Sequence, residues 1–248
     1  MRLIYRDHAV FIPWKRFIAV DIDLPTTETL ARLRAVAERH TPATLAASFG
    51  AEDMVLIDLL ARHRLPISVF TLDTGRLPEE TQSLIHVTAR RYGLAITVVA
   101  PDAGEVERYV STHGPNAFYD SRALRLECCA IRKVRPLARA LAGQRAWITG
   151  QRRAQSVTRR ALPLQEWDAE HGIHKFNPLA DWSDDAVWTY VRTHDVPYNA
   201  LHDRGYPSIG CAPCTRAITP GEDSRAGRWW WESDEHRECG LHTHRRAS

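Results

Sequence analysis

Thr44-Leu45-Ala46-Ala47-Ser48-Phe49-Gly50 is the stretch that decides the fold. It joins a short apolar run to the longer segment Glu52 to Arg64, in which apolar residues are packed in a row. The apolar run predicts a buried strand, and the segment after it predicts a helix. A strand followed by a helix opens a βαβ unit. At such a junction the backbone N–H groups and the helix dipole favour a bound anion, so the stretch indicates an anion-binding loop, and a plain helix cap is the alternative.

The same alternation of strand and helix continues along the chain. Further strands are predicted at Ile67 to Leu72, Leu94 to Val99 and Ala146 to Thr149. Strands separated by helices imply a parallel sheet, so the sequence predicts an α/β fold. Ligands of such open sheets bind beyond the carboxyl ends of the strands. The other predicted helices are Thr26 to Arg39, Pro78 to Tyr92, a piece near Gly104 to Val110, and Cys129 to Leu141.

The alternating pattern weakens after Arg160. A hairpin is predicted around Leu162 to Phe176, and a helix capped by Ser183 is predicted to run to Thr193. Prolines and glycines recur beyond His194. The last part of the chain is therefore predicted to be mostly loop.

The composition is that of an ordinary globular protein. Of the 248 residues, 44% are hydrophobic and 25% are charged, and no apolar run approaches the roughly 18 residues that cross a bilayer. A net charge of +3 is too small to argue for nucleic acid. The stretch from Arg125 to Arg160, however, has ten basic residues and one acidic residue, which gives +9 there and leaves −6 for the rest. Such a stretch suits a small polyanionic ligand, and a solvated face is the alternative.

Four of the five cysteines form two close pairs that lie far apart in the sequence. Cys128 and Cys129 are adjacent, and Cys211 and Cys214 belong to a CxxC motif. Two short-spaced pairs brought together by folding are typical of an all-thiolate site for zinc or an iron–sulfur cluster. The alternatives are disulfides and inert buried thiols. Residues 1–20 carry several charges and no apolar segment of a signal peptide, so we expect a reducing, cytoplasmic compartment in which thiols stay free.

Five motifs follow one another along the chain in an order that chance does not assemble. They are Glu127-Cys128-Cys129, Thr149-Gly150-Gln151-Arg152-Arg153, Gly210-Cys211-Ala212-Pro213-Cys214-Thr215, Gly221-Glu222-Asp223-Ser224-Arg225-Ala226-Gly227-Arg228-Trp229 and Glu238-Cys239-Gly240-Leu241-His242. With the loop at Ser48, they resemble the assimilatory adenylyl-sulfate reductases, and the resemblance runs to His242. The loop also resembles the pyrophosphate-binding loop of ATP pyrophosphatases, with Phe49 in place of a glycine. Ala154 departs from the reductase pattern, which commonly has aspartate there.

The resemblance implies a sulfonucleotide reductase with an adenine nucleotide α-hydrolase-like fold. Such an enzyme converts adenosine 5′-phosphosulfate to sulfite and AMP. The resemblance implies that the nucleophile is Cys239, which would carry a cysteine S-sulfonate until thioredoxin resolves it. Plant-type relatives append a thioredoxin-like domain, whereas no CxxC follows Cys239 here, so we expect an external thioredoxin.

The same resemblance implies a four-iron four-sulfur (4Fe-4S) cluster. Its ligands would be Cys128, Cys129, Cys211 and Cys214. Relatives that use 3′-phosphoadenylyl sulfate lack these four cysteines. Their presence therefore favours the unphosphorylated nucleotide as substrate.

The resemblance also assigns the substrate site. Its cations would be Lys133, Arg160, Arg225 and Arg228, which offset the negative charge of a phosphosulfate and stabilise the departing phosphate. Any one of these side chains, taken alone, is more often solvated or salt-bridged. The other expected substrate-binding residues are Ser48, Gly50, Asp73, Gly75 and Gly150.

The expected organisation has three parts. Residues 1–40 form an N-terminal helical segment, residues 41–228 a nucleotide- and cluster-binding α/β domain, and residues 229–248 a mobile C-terminal tail with Cys239. The run Trp229-Trp230-Trp231 is expected to pin the tail to the body, and stacking on a nucleotide or a partner is the alternative.

Three other functions remain open at this point. One is a 3′-phosphoadenylyl-sulfate reductase. Another is a four-cysteine zinc module that binds nucleic acid through its arginines. The third is an ATP-dependent adenylating enzyme, against which the loop at Ser48 argues because it lacks the second glycine and the final serine. We expect no nucleic-acid or membrane partner, and a homo-oligomer is possible.

Overall fold

The computed structural model describes residues 23–156 and 159–232, and a six-stranded sheet lies at its centre. Cys239 therefore lies outside the described residues. The strands are β1 (Ala43–Ala46), β2 (Ser68–Leu72), β3 (Ile96–Val99), β4 (Ala146–Ile148), β5 (Gln165–Asp168) and β6 (Ile173–Phe176).

Helices separate most of these strands. The predicted elements as far as Thr193 are confirmed, and apart from the helix that carries the first cysteine pair their ends differ from the prediction by at most three residues. The α-helices of the described chain are α1 (Asp23–Arg39), α2 (Ala51–Arg62), α3 (Glu79–Tyr92), α4 (Ala103–His113), α5 (Arg122–Cys129), α6 (Arg135–Leu141) and α7 (Asp184–Thr193).

The sheet has the order β3-β2-β1-β4-β6-β5. Every pairing is parallel except that of β5 with β6. The predicted parallel sheet is thus confirmed, with one antiparallel edge. The sequence predicted the hairpin but not that β6 would extend the main sheet. The reason is Lys175, since a charged residue argues against a buried strand. In the structure Lys175 is buried and pairs with Glu166 at 2.9 Å.

Helix α2 is the centre of the main hydrophobic core. Its residues Met54 to Ile57 are fully buried, and they pack with side chains of α1 and α7. Because other elements surround α2, its buried surface extends around most of the helix, which explains the apolar row from Met54 to Ile57 in the sequence. Because α2 is held so firmly, the loop at its N-terminus has a fixed position.

The helix that carries the first cysteine pair begins earlier than predicted. It starts at Arg122 rather than at Cys129, and Ser121 caps it by accepting a hydrogen bond from the backbone N–H of Leu124 at 3.2 Å. A π-helical turn, Ala130–Val134, connects α5 to α6. Such turns inside α-helices are frequent at functional sites. Cys128 and Cys129 therefore lie at the end of a helix rather than at its start.

Among the described helices, none combines the length and the apolar composition needed to cross a membrane.

Candidate active site

A cavity of about 450 Å³ lies at the carboxyl ends of three central strands. Its wall includes Ser48 and Gly50 after β1, Thr74 after β2, and Gly150 and Gln151 after β4. This is the place predicted for a ligand of a parallel sheet. The cavity is therefore the candidate active site.

The loop from Ser48 to Gly50 joins β1 to the N-terminus of α2. Gly50 is the N-cap residue of α2. The first turn of this helix carries Glu52 and Asp53, whose carboxylates interact with the backbone of Glu52 and of Gly50. Phe49 has a φ of +63°, in the left-handed region that favours glycine. Its ring is fully buried. The residue that replaces the glycine thus accepts the backbone conformation of a glycine and adds its side chain to the core.

Asp53 closes this loop from the first turn of α2. Its Oδ2 accepts hydrogen bonds from the backbone N–H of Ser48 at 2.6 Å and from the Ser48 hydroxyl at 2.7 Å. Burial opposes ionisation of the carboxyl and raises its pKa to about 6. Asp53 is therefore a loop clamp that the sequence did not reveal.

Glu52 lies beside the loop, and its carboxylate is bound by Arg152 and Gln155. Arg152 donates to Glu52 Oε1 from Nη2 at 2.6 Å and from Nε at 2.9 Å, and Gln155 donates to it at 2.9 Å. Burial alone would raise the pKa of the Glu52 carboxyl, but the charge and hydrogen bonds of Arg152 and Gln155 outweigh it and lower that pKa. Arg152 also bonds to Asp184. The Thr149 to Arg153 motif contained this arginine, yet its role depended on a partner 100 residues away.

Gly150 is required by a close approach between β4 and α2. A Cβ atom at this position would lie 2.9 Å from Glu52 Cβ and 3.2 Å from the backbone nitrogen of Asp53. Any larger residue would push the end of β4 away from the start of α2. The glycine is thus explained by packing at the cavity wall, whatever contact it makes with a ligand.

Three of the four predicted cations line the cavity. They are Lys133, Arg225 and Arg228. Arg228 is buried, donates from Nη1 to the Ile209 carbonyl at 3.0 Å, and lies over the ring of Trp229 at 4.7 Å. Lys133 belongs to the π-helical turn, which places it on the same wall. The fourth predicted cation, Arg160, is exposed, and Arg159 lines the cavity in its place.

Two other predicted residues stand behind the wall rather than in it. Asp73 accepts a hydrogen bond from the backbone N–H of Gly75 at 2.9 Å, and Gly75 has a φ of +66°. Together they shape the turn after β2. Of that turn, Thr74 reaches the cavity, and Arg132 donates to its carbonyl oxygen at 2.7 Å. The cavity therefore brings together Ser48, Gly50, Gly150, Lys133, Arg225 and Arg228, and it does not include Asp73, Gly75 or Arg160 among the described lining residues.

The two cysteine pairs meet in a second hydrophobic cluster. Cys128, Cys129, Cys211 and Cys214 are all buried and not disulfide-bonded, and three of them pack with aromatic residues that include Phe118. Electrostatic interactions join Cys128 to Cys211, and Cys214 to both Cys211 and Cys129. Folding thus brings the pairs together, as the sequence predicted.

Cys211 links the cysteine cluster to the cavity, since it lines that cavity. Its Sγ lies 3.3 Å from Thr74 Oγ1. Burial opposes ionisation of the thiol, but Lys133, the hydrogen bond with Thr74, and Arg228 together lower its pKa. Burial raises the pKa of Cys214 to about 12. Two of the cavity's cations therefore also act on the cysteine cluster.

The four buried thiols are a donor set of the kind that zinc or an iron–sulfur cluster uses. Among the described residues, no group of three or more His, Cys, Asp or Glu side chains is placed to hold one metal ion. The four thiols share one buried site with Arg76, Arg132 and Lys133, whose charges would offset those of four thiolates.

Comparison with known proteins identifies the family. The sequence profile of the phosphoadenosine phosphosulfate reductase domain matches residues 42–217. The chain belongs to this family. That span includes the cavity loop, both cysteine pairs and Lys133. The resemblance inferred from the motifs is therefore confirmed.

Similar reductases of this family cover most of the chain. It is 58% identical to the adenosine 5′-phosphosulfate reductase of Allochromatium vinosum over 88% of this chain and 86% of that protein. It is 56% identical to the enzyme of the same name from Burkholderia cepacia, over 86% and 85% of the two chains. The crystal structure of phosphoadenylyl-sulfate reductase from Candida auris, a phosphate complex, superposes with a TM-score of 0.67 at 27% identity, over 79% of this chain and 96% of that one. This match confirms the expected fold.

Proposed function

We propose that this chain reduces adenosine 5′-phosphosulfate to sulfite and AMP as a step of assimilatory sulfate reduction. The observation that carries this proposal is the wall shared by the cavity and the cysteine cluster, where Lys133 and Arg228 line the cavity and act on Cys211. Fixed cations at this wall suit a ligand whose phosphosulfate end is the anionic one. The names of the relatives in Allochromatium vinosum and Burkholderia cepacia support the choice of the unphosphorylated nucleotide.

The first step is a nucleophilic substitution at sulfur. The Cys239 thiolate attacks the sulfur of the phosphosulfate, an S–S bond forms, and the bond from sulfur to the bridging oxygen breaks with its electron pair leaving on AMP. Both reactants are anions, so the repulsion between them has to be offset. Lys133, Arg225 and Arg228 offset it and stabilise the phosphate as it departs.

The rest of the substrate binds along the strand ends, where the loop after β1 and the start of α2 line the cavity. Asp53 holds that loop in place. Arg152 pairs with Glu52 and so offsets part of the repulsion between that carboxylate and the phosphate. The substrate is thereby oriented with its sulfur toward the cysteine cluster.

The second step needs another thiol. A thiolate of thioredoxin attacks the Cys239 sulfur and releases sulfite, and its second thiol then resolves the mixed disulfide and regenerates Cys239. The two electrons that reduce the sulfonate come from the reductant, which leaves as a disulfide. A reducing cytoplasm, which keeps Cys128, Cys129, Cys211 and Cys214 as thiols, is the compartment that we assign to this reaction.

The four cysteines of the cluster would hold a 4Fe-4S group. When bound, that group supplies a compact centre whose charge spreads over its irons and sulfides. This chain's own part is to bury the ligands and to place Lys133 between them and the cavity. Four thiolates can also hold zinc. The visible absorption spectrum separates the two, because an iron–sulfur protein is brown and a zinc protein is colourless.

The proposal is tested by a single-turnover experiment without reductant. The protein is incubated with adenosine 5′-phosphosulfate, and we expect at most one AMP per chain, together with one added sulfonate unit in the intact mass that maps to Cys239. Thioredoxin should then restore the mass and release sulfite. The control is Cys239→Ser, which should bind nucleotide but form no adduct. An adduct on another residue, or turnover that survives in this variant, would contradict Cys239 as the nucleophile.

A further inference from the structure

Two exposed aromatic rings lie close together, one in the turn before α5 and one near the end of the described chain. Tyr119 is 41% exposed and Trp230 is 36% exposed. Trp231 lies between them, with its ring centre 4.5 Å from that of Tyr119 and 4.8 Å from that of Trp230. We call these three residues the aromatic patch. Aromatic side chains normally bury most of their large surface, so contiguous exposed rings mark an interaction site.

The aromatic patch is held rigidly against the cysteine cluster. Trp231 packs on that cluster, and the Tyr119 hydroxyl donates to the Pro213 carbonyl at 2.6 Å. The next residue, Glu232, forms a buried ion pair with Arg125 at 2.5 Å. These contacts fix the patch in place, so its exposure is not the result of a loose chain end.

The position of the patch along the chain relates it to Cys239. Glu232, which adjoins the patch, precedes Cys239 by seven residues. Seven extended residues span at most about 25 Å. Whatever the conformation of the intervening chain, the Cys239 sulfur therefore stays within that distance of the patch. A protein that reacts with this sulfur has to bind close by.

The second step of the proposed reaction calls for such a protein. A cavity of about 450 Å³ admits a nucleotide but not a folded reductant. The sulfonated cysteine must then be attacked outside the cavity, and a macromolecular partner needs a surface to hold it while its thiol reaches the sulfur. Aromatic residues, tryptophan above all, dominate the binding energy of such surfaces.

We infer that the aromatic patch is the docking surface for the protein dithiol that reduces the Cys239 adduct. Trp230 is its exposed anchor, and Tyr119 and Trp231 support that ring from the side. The docking role rests on the proposed function, since it has a purpose only if Cys239 carries a sulfonate. The partner meets the patch with an apolar surface around its reactive thiol, because the exposed rings offer apolar contact.

The test separates docking from chemistry. Trp230→Glu places a charge at the anchor, and we measure turnover at varied thioredoxin concentration, turnover with the small dithiol dithiothreitol, and the AMP burst without reductant. The KM for thioredoxin should rise about tenfold or more, as expected for a lost tryptophan hot spot. Turnover with dithiothreitol and the AMP burst should not change, since neither needs the docking surface.

A matched control uses a tryptophan far from the tail. Trp167 is 59% exposed on β5, and Trp167→Glu should leave all three measurements unchanged. An unaltered KM for thioredoxin in Trp230→Glu, with a normal AMP burst, would overturn the docking role alone. A slower burst would mean that the patch positions the chain's own tail, and a change in molar mass in solution would mean that it binds a second copy. Either result contradicts the inference, whereas a wild-type protein that gives no burst overturns the proposed function itself.

Discussion

At the scale of single residues, the cavity is built from charges that are held by specific partners. Asp53 is buried, and it clamps Ser48 through two hydrogen bonds. Burial raises its pKa to about 6 from an ordinary value of 3.8. The folded protein therefore binds a proton on this carboxyl at pH values where the unfolded chain has lost it. Ionisation of Asp53 therefore destabilises the folded protein, although the carboxylate holds the loop through its hydrogen bonds with Ser48.

This titration predicts how Asp53→Asn changes stability with pH. A raised folded-state pKa means that the stabilising contribution of Asp53 is present below about pH 4 and is lost as the pH rises through 6. The asparagine does not titrate. The free energy of unfolding of Asp53→Asn minus that of the wild type should therefore rise between pH 4 and pH 7, by up to about 3 kcal/mol for a shift of this size. Urea unfolding of both proteins at several pH values measures it, and a difference that does not vary with pH would contradict it.

At the scale of elements, one interrupted helix supplies both the first cysteine pair and a cation of the cavity. The end of α5 supplies Cys128 and Cys129, and the π-helical turn that follows supplies Lys133. The second pair comes from a short turn, Ala212–Cys214, whose start is bonded to the β2 turn through the backbone of Arg76. The cysteine cluster thus depends on two elements that are docked separately.

Replacement of one of the four cysteines should remove all the bound iron and sulfide. The binding free energy of a cluster depends on its complete set of ligands, and all four thiolates are needed to complete that set. We expect Cys129→Ser and Cys211→Ser to lose iron and sulfide together, as measured by chemical analysis and by the visible absorption spectrum. Cys239→Ser is the matched control and should keep both. A Cys129 or Cys211 variant with full iron and an unchanged spectrum would remove that residue from the ligand set.

At the scale of the whole molecule, a buried carboxylate connects three helices. Asp58 on α2 is fully buried and accepts hydrogen bonds from Tyr92 on α3 at 2.8 Å and from Tyr190 on α7 at 2.7 Å. Arg62 pairs with it at 2.8 Å. Burial, and then the bond to Asp58, raise the pKa of both phenols, which remain hydrogen-bond donors. This network holds α2, and with it the cavity loop, in the body of the protein.

Removal of this carboxylate should destabilise the fold as a whole. Asp58→Ala leaves the buried Tyr190 hydroxyl and the half-buried Tyr92 hydroxyl without an acceptor, so we expect a loss of about 2–4 kcal/mol in the free energy of unfolding, against about 1 kcal/mol for Tyr92→Phe. Denaturant unfolding measures both. The control is Tyr198→Phe, which removes an exposed hydroxyl that bonds to Asp203 and should change stability by less than about 0.5 kcal/mol. A small effect of Asp58→Ala would mean that the core holds α2 without the network.

Local patterns account for what the sequence determined by itself. The alternation of strand and helix, the Ser183 cap and the strand-to-helix junction at Ser48 each depend on a window of a few to fifteen residues, and the structure confirms them. Anion binding at that junction stays a prediction. The order of the motifs also identified the family, because short cysteine and arginine patterns can be recognised without knowing which residues are in contact. The prediction of Cys239 as nucleophile stays a prediction, since it lies outside the described residues.

Contacts between distant parts of the chain were decided by the tertiary structure. Glu52 binds Arg152, which lies 100 residues away in the sequence, and this pairing offsets charge that Glu52 places at the cavity wall. The place of β6 in the main sheet, the choice of Arg159 over Arg160 at the cavity and the exposed aromatic patch are of the same kind. Propensity and periodicity are short-range, whereas burial and charge pairing depend on which surfaces meet when the sheet and helices pack. The sequence by itself therefore determined the elements and the family, and packing decided which side chains share the site.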